Sequence, residues 1–138
     1  MSLSRVIRTR DRPLILKMEQ VCFNDESLDE DDAREHIWFV AFVNGKPAGY
    51  AGLKTWDGFT GFLSRAGVLP EFRGLGLQKR LIKSRQRYAK RVGIRWLVTY
   101  TAIDSAASQN SLISCGYRPY RPEYPWAGAE WIYFRRKL

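Results

Sequence analysis

The stretch that most constrains the fold runs from residue 61 to residue 103. "GFLSRAGVL" reads as a strand and "IRWLVTYTAI" as a second, buried one. Between them, Leu77, Leu81, Ile82, Tyr88, Ala89 and Val92 share one helical face, while Lys79, Arg80, Lys83, Arg87, Lys90 and Arg91 fill the other. Gly93 is well placed to end this helix. A long helix between two strands is a crossover connection, so at least one strand pair must run parallel. The helix opens on "VLPEFRGLGLQK", with glycine at 74 and 76. Glycine there means a sharp turn or a close visitor to the backbone. The unpaired N–H groups and the dipole of a helix start make that visitor an anion.

The rest of the chain supplies the partners. "SRVIR" is a short first strand, and "RDRPLILKMEQVCF" carries Leu14, Met18, Val21 and Cys22 at helical spacing, with Pro13 in the first turn. "IWFVAFV" is an apolar strand that turns through Asn44–Gly45 into "KPAGYAGLKTW". "DGFT" turns again into the strand at 61, which gives a three-stranded meander. "DSAASQNSLISCG" is a short helix with Asp104 or Ser105 as cap and Gly116 as stop. "AEWIYFRRKL" is a last strand after the proline- and aromatic-rich "RPYRPEYPW". The expectation is one α/β domain, an α+β mixed sheet flanked by helices, over residues 4–138.

Charge and rare residues narrow the chemistry. The formal net charge is +9, which suits an anionic partner. Yet seven of the fourteen acids (Asp25, Glu26, Asp29, Glu30, Asp31, Asp32, Glu35) crowd into residues 25–35, a loop with room for a short helix. A single histidine, His36, argues against a Ser/His triad or a histidine metal site. Cys22 and Cys115 fit neither a metal spacing nor a disulfide framework and read as buried free thiols. No apolar run reaches the ~20 residues of a membrane span, and no secretory leader is visible, so the expected location is cytoplasmic.

Two phosphate-binding patterns fail on the glycines. A dinucleotide fingerprint needs a third glycine where Lys79 stands, and an acid where Arg95 and Trp96 stand. A P-loop needs a glycine-lysine-hydroxyl triplet, which is missing. The pattern Val68, Pro70, Arg73, Gly74, Gly76 instead resembles the cofactor motif of the GNAT family, the Gcn5-related N-acetyltransferases, and "NSLISCGY" resembles its second motif. The resemblance implies the GNAT acyl-CoA N-acyltransferase fold, a central mixed sheet splayed between its fourth and fifth strands. It implies acetyl-CoA as co-substrate, with no metal. Backbone from Arg73 through Gly74, Leu75, Gly76 and Leu77 to Gln78, with Lys79 beside it, would meet the phosphates. Ala66 to Val68 would pair with the pantetheine arm, Ala66 N–H would meet the thioester carbonyl as the catalytic backbone group, and Ser105 would bond pantetheine.

Departures from the family leave the acid and base unassigned. Gln78 occupies a Gly/Ala place, where its side chain would narrow the pocket or add an amide donor. Leu112 stands where the family carries a tyrosine general acid, with Tyr117 and Tyr100 as substitutes. The strand at 60–69 holds no acid, so a water relay or the acidic segment must deprotonate the amine. Basic residues such as Arg85, Lys90 and Arg91 read as a solvated helix face. The leading expectation is acetyl transfer to a primary amine, with a small molecule or a protein as acceptor, by a monomer or homodimer without nucleic-acid or membrane partners. Two alternatives stand beside it. One is a CoA-binding protein with the fold and little catalysis. The other is a nucleic-acid-binding module using the basic helix with Trp126 and Trp131.

Overall fold

The hairpin at Asn44–Gly45 anchors the sheet. Asn44 (φ 50°) and Gly45 (φ 80°) both take left-handed conformations, as a two-residue hairpin turn requires. They join β2 (Ile37–Val43) to β3 (Lys46–Thr55). The computed structural model describes residues 3–23, 28 and 30–138. Asp25, Glu26 and Asp29 of the acidic segment lie outside them.

β1 (Ser4–Thr9) pairs antiparallel with β2 along its whole length, and β4 (Thr60–Val68) pairs antiparallel with β3. β5 (Trp96–Ala102) runs parallel to β4, as a crossover helix demands. β7 (Trp131–Lys137) pairs antiparallel with β5, and β6 (Arg118–Tyr120) completes a sheet of seven strands in the order β1-β2-β3-β4-β5-β7-β6. β6 lies inside the segment that the sequence reads as irregular. Its Pro119 is tolerated because β6 is the sheet edge.

The parallel seam is short. β4 and β5 pair only at Thr60–Trp96, Gly61–Leu97 and Phe62–Val98. One step further, Thr99 Oγ1 donates to the Leu63 carbonyl at 2.8 Å. Beyond that the strands part, so the sheet is splayed between its fourth and fifth strands. The β3–β4 register shifts between Ala51 and Leu53, which pair with Ala66 and Leu63. Two residues of β4, Ser64 and Arg65, thus face Gly52 alone. Such a bulge bends and twists its strand.

Helices cover both faces. α3 (Leu77–Arg91) and α4 (Ala106–Ser114) pack on one side, over a core that includes Phe39, Leu53, Leu63, Leu81, Leu97 and Phe134. α1 (Arg12–Cys22) and α2 (Glu30–Arg34) cover the other, over Trp38, Val40 and Tyr50. Asp11 caps α1, its Oδ1 accepting from the Leu14 amide at 3.2 Å. The buried face of α1 is rotated from the expected one. Ile15, Met18 and Glu19 are buried, while Val21 is 53% exposed. Glu19 can face inward because Tyr50 donates its hydroxyl to it at 2.9 Å. Where β4, β5 and β7 lack a helix, Trp56, Phe62, Tyr100, Trp126, Trp131 and Tyr133 pack on one another at 4.9–6.2 Å between centroids. Trp126 and Trp131 therefore belong to a half-buried aromatic cluster.

Candidate functional site

The turn into α3 explains its two glycines. Gly74 (φ +80°) and Gly76 (φ +76°) are both left-handed, which costs other residues about 1–2 kcal/mol. A Cβ added at either would meet no protein atom within 4 Å. The glycines are therefore required by the backbone, and the space before them is open. The first hydrogen bond of α3 runs from the Arg80 amide to the Gly76 carbonyl, so the amides of residues 77–79 have no intrahelical partner. Arg73 Nε folds back onto the Val68 carbonyl at 3.2 Å and ties the turn to the end of β4.

That turn forms the wall of a cleft of about 570 Å³, which continues along the free edge of β4. Ala66, Val68, Arg73, Gly74, Gly76, Leu77, Gln78 and Lys79, eight of the ten expected site residues, line it. Leu75 does not; it is 50% exposed on the outside of the turn. Ser105 lines an adjoining cavity of about 160 Å³ instead. Ser105 holds the N-cap position of α4, but its side chain makes no capping hydrogen bond. The opposite wall of the main cleft comes from Cys22 and Phe23 at the end of α1, from Phe72, and from Ala107, Ser108 and Ser111 of α4. Gln78 Nε2 reaches Ser108 Oγ at 3.3 Å, so its amide bridges the two helices rather than standing free at the helix start.

The electrostatics suit an anion. Arg73 and Lys79 line the cleft, and no carboxylate does among the described residues. With the open space before two glycines and the unpaired amides, these groups fit a pyrophosphate. Cys115 is buried as expected, but Cys22 lines the cleft, its Sγ donating to the Val68 carbonyl at 3.7 Å. Burial pushes the Cys22 thiol up, against the pull of Arg73.

The expected proton donors do not gather in the cleft. Tyr117 is 1% exposed and lines neither cavity, and burial pushes its hydroxyl up to about 12. Tyr100 and Leu112 line the smaller cavity. Of the acidic segment, Asp31 pairs with Arg34 at 3.1 Å and Glu35 with Lys54 at 3.0 Å. His36 Nδ1 donates to the Asp32 carbonyl at 2.7 Å, and burial lowers the pKa of the ring. The carboxylate that sequence reading missed is Glu19, fully buried one turn before Cys22, with Arg65 Nη1 at 3.6 Å. Only the isolated position of an acid on an apolar helix face could have pointed to it. Arg85 is a further correction. It is 2% exposed rather than solvated, because its guanidinium bonds the Gly52 and Leu81 carbonyls. Among the described residues no group of His, Cys, Asp and Glu could hold a metal ion, and no helix is long and apolar enough to cross a membrane.

The sequence model of the Acetyltransferase (GNAT) family matches residues 7–117. No curated protein sequence matches the chain. Among solved structures, a GNAT family acetyltransferase from Elizabethkingia anophelis with acetyl-CoA bound superimposes with a TM-score of 0.80 at 19% identity, covering 98% of each chain. The Bacillus subtilis acetyltransferase in complex with CoA gives 0.80 at 14% identity over 99% of each chain. The ribosomal-protein-S18-alanine N-acetyltransferase from Escherichia coli gives 0.76 at 21% identity, covering 99% of this chain and 94% of that one. At these identities the likeness is one of fold.

Proposed function

This chain belongs to the acetyltransferase (GNAT) family, and from that premise we propose that it transfers an acetyl group from acetyl-CoA to a primary amine by direct attack. The observation that carries the proposal is the left-handed glycine turn at the start of α3, which opens onto a basic cleft along the free edge of β4. In this reading the amides after Gly74 and Gly76 and the Lys79 ammonium hold the pyrophosphate, and the backbone of Ala66 to Val68 takes the pantetheine arm. The Ala66 N–H faces the thioester carbonyl and stabilises the oxyanion as the amine attacks. The C–N bond forms, the C–S bond breaks, and water takes the ammonium proton, since no carboxylate lines the cleft. The leaving thiolate needs little help. A cysteine-like thiol has a pKa near ~8.5, so loss of an acid at Leu112 costs little rate.

Asp31 and Asp32 of α2 and Glu35 just after it place carboxylates beside α1, although Asp31 and Glu35 are paired with Arg34 and Lys54, and this acidic segment favours a cationic acceptor. The test is release of free thiol from acetyl-CoA with a panel of polyamines, amino acids and peptide N-termini. Turnover with at least one amine class is expected. Tight CoA binding by calorimetry without thiol release for any amine would sink the catalytic reading. It would favour the second one, a CoA-binding protein, for which Leu112 in place of a proton donor already speaks.

A further inference from the structure

The Arg85 guanidinium is buried without a carboxylate. Arg85 is 2% exposed, its Nη1 donates to the Gly52 carbonyl at 2.9 Å and its Nε to the Leu81 carbonyl at 3.2 Å. Among the described residues no carboxylate forms an ion pair with it, and the groups that offset its burial are the Tyr117 hydroxyl and the Cys115 thiol. Burial lowers its pKa only to about 10, so it stays cationic at neutral pH. Buried cations are ordinarily paired or bound to an anion, because an uncompensated charge in the interior is costly.

The place where Arg85 lies suggests the anion. It lines the cavity of about 160 Å³ between the parted ends of β4 and β5 and the helices α3 and α4. The same cavity is lined by Thr101, 8% exposed, whose Oγ1 has no hydrogen-bond partner. Ser64, whose Oγ also has no hydrogen-bond partner, lines it too, with Ser105, expected on the pantetheine arm, and Ser108, whose Oγ accepts from Gln78. No carboxylate lines it among the described residues. It shares Ala66, Gln78 and Ser108 with the main cleft, so it continues inward from the strand edge assigned above to the thioester. At about 160 Å³ it has room for several water-sized groups, enough for a short chain such as –CH2CH2COO⁻. An acetyl methyl uses none of these donors.

We propose that this cavity receives the tail of an acyl group that ends in a carboxylate, so that the donor class extends from acetyl-CoA to dicarboxylic acyl thioesters such as succinyl-CoA. The inference rests on the reading of the main cleft as a CoA site. The chemistry of transfer is unchanged. The amine forms the C–N bond, the C–S bond breaks, the ammonium proton passes to water and the thiolate departs. The distal carboxylate stays ionised and takes no part in bond making.

Calorimetry on the wild-type protein with CoA, acetyl-CoA and succinyl-CoA at low ionic strength is the test. A charge-assisted hydrogen bond to the tail should make succinyl-CoA bind about tenfold tighter than acetyl-CoA. Thr101→Val, which leaves the bond from Arg85 to Gly52 in place, should weaken succinyl-CoA several-fold and leave acetyl-CoA unchanged. Arg85→Met should remove the preference and Arg85→Lys should restore part of it, each measured on protein whose circular dichroism matches wild type. Free propanoate should compete with succinyl-CoA but not with acetyl-CoA. Binding of CoA and acetyl-CoA without preference for succinyl-CoA overturns the assignment of the cavity alone. Failure of all three to bind overturns the CoA reading, and the cavity assignment with it.

Discussion

Replacement of Gly76 by alanine separates what the turn needs from what the cleft needs. Gly76 sits at φ +76° at the start of α3, and Gly93 sits at φ +92° at the end of the same helix. At both positions an added Cβ meets nothing within 4 Å. Each substitution therefore carries the same backbone cost and no clash. The left-handed conformation costs alanine about 1–2 kcal/mol, and the stiffer unfolded chain returns about 0.4–1 kcal/mol. A net loss of about 1 kcal/mol should lower Tm by roughly 3–5 °C in a chain of this size. Of these two glycines, Gly76 lines the cleft and Gly93 does not. Its methyl would stand where a phosphate oxygen approaches the amides, and loss of one charge-assisted hydrogen bond is worth roughly 1.5–3 kcal/mol, or more than about tenfold in affinity. Gly76→Ala and Gly93→Ala should then melt alike, while only Gly76→Ala loses CoA affinity by calorimetry. If both variants keep wild-type affinity at similar Tm, Gly76 is a turn residue only and the phosphate assignment falls.

Three further outcomes follow from burial and lining. Iodoacetamide should modify Cys22 and spare the buried Cys115; the rate should keep climbing at pH values where an ordinary thiol has already ionised, since burial raises the Cys22 thiol, and saturating CoA should slow it about tenfold or more. Equal labelling with and without CoA, read by mass spectrometry, would remove Cys22 from the cleft. Because burial lowers the His36 pKa below 6.5, the unfolded chain binds more protons than the folded one just below that pH. Stability should thus be full above about 6.5 and fall as the pH drops below it, and His36→Gln should flatten that slope in urea titrations. Leu112→Tyr should raise turnover no more than a few-fold, and the pH–rate profile should show one ascending limb. A bell-shaped profile would reveal a true acid, and Tyr100, which lines the smaller cavity, would be the first to replace with phenylalanine.

What was legible in the sequence was local. Asn44–Gly45, Gly93 and Gly116 all take positive φ at the hairpin and helix ends where their chemistry puts them. β2 and the start of α3 at Leu77 lie where apolar runs and spacing place them. What was hidden depended on partners far along the chain. Glu19 stands out only once Tyr50, 31 positions away, donates to it. Arg85 reads as part of a basic surface until the Gly52 carbonyl, 33 positions away, takes its Nη1. The glycine turn announced one wall of the cleft. The other wall, Cys22 with Phe23 and the first turns of α4, exists only once the sheet has brought α1 and α4 to the same edge of β4.

The bulge in β4 links these hidden features. One extra residue there sets Ser64 and Arg65 against Gly52. A bulge adds twist to its strand, and just before this one the β4–β5 seam stops after Phe62, closed by the Thr99 hydroxyl on Leu63. Gly52 must be a glycine, since a Cβ would come within 2.5 Å of Ser64 Oγ and 2.9 Å of Trp38 Cζ3. Its carbonyl accepts its hydrogen bond from Arg85 in the helix behind the sheet. A neutral donor could have filled that role at lower desolvation cost. A guanidinium satisfies the carbonyl and still leaves charge facing the space that the splay has opened. The residue opposite the bulge, Gly52, is thus also the one whose carbonyl holds the buried cation beside the opening.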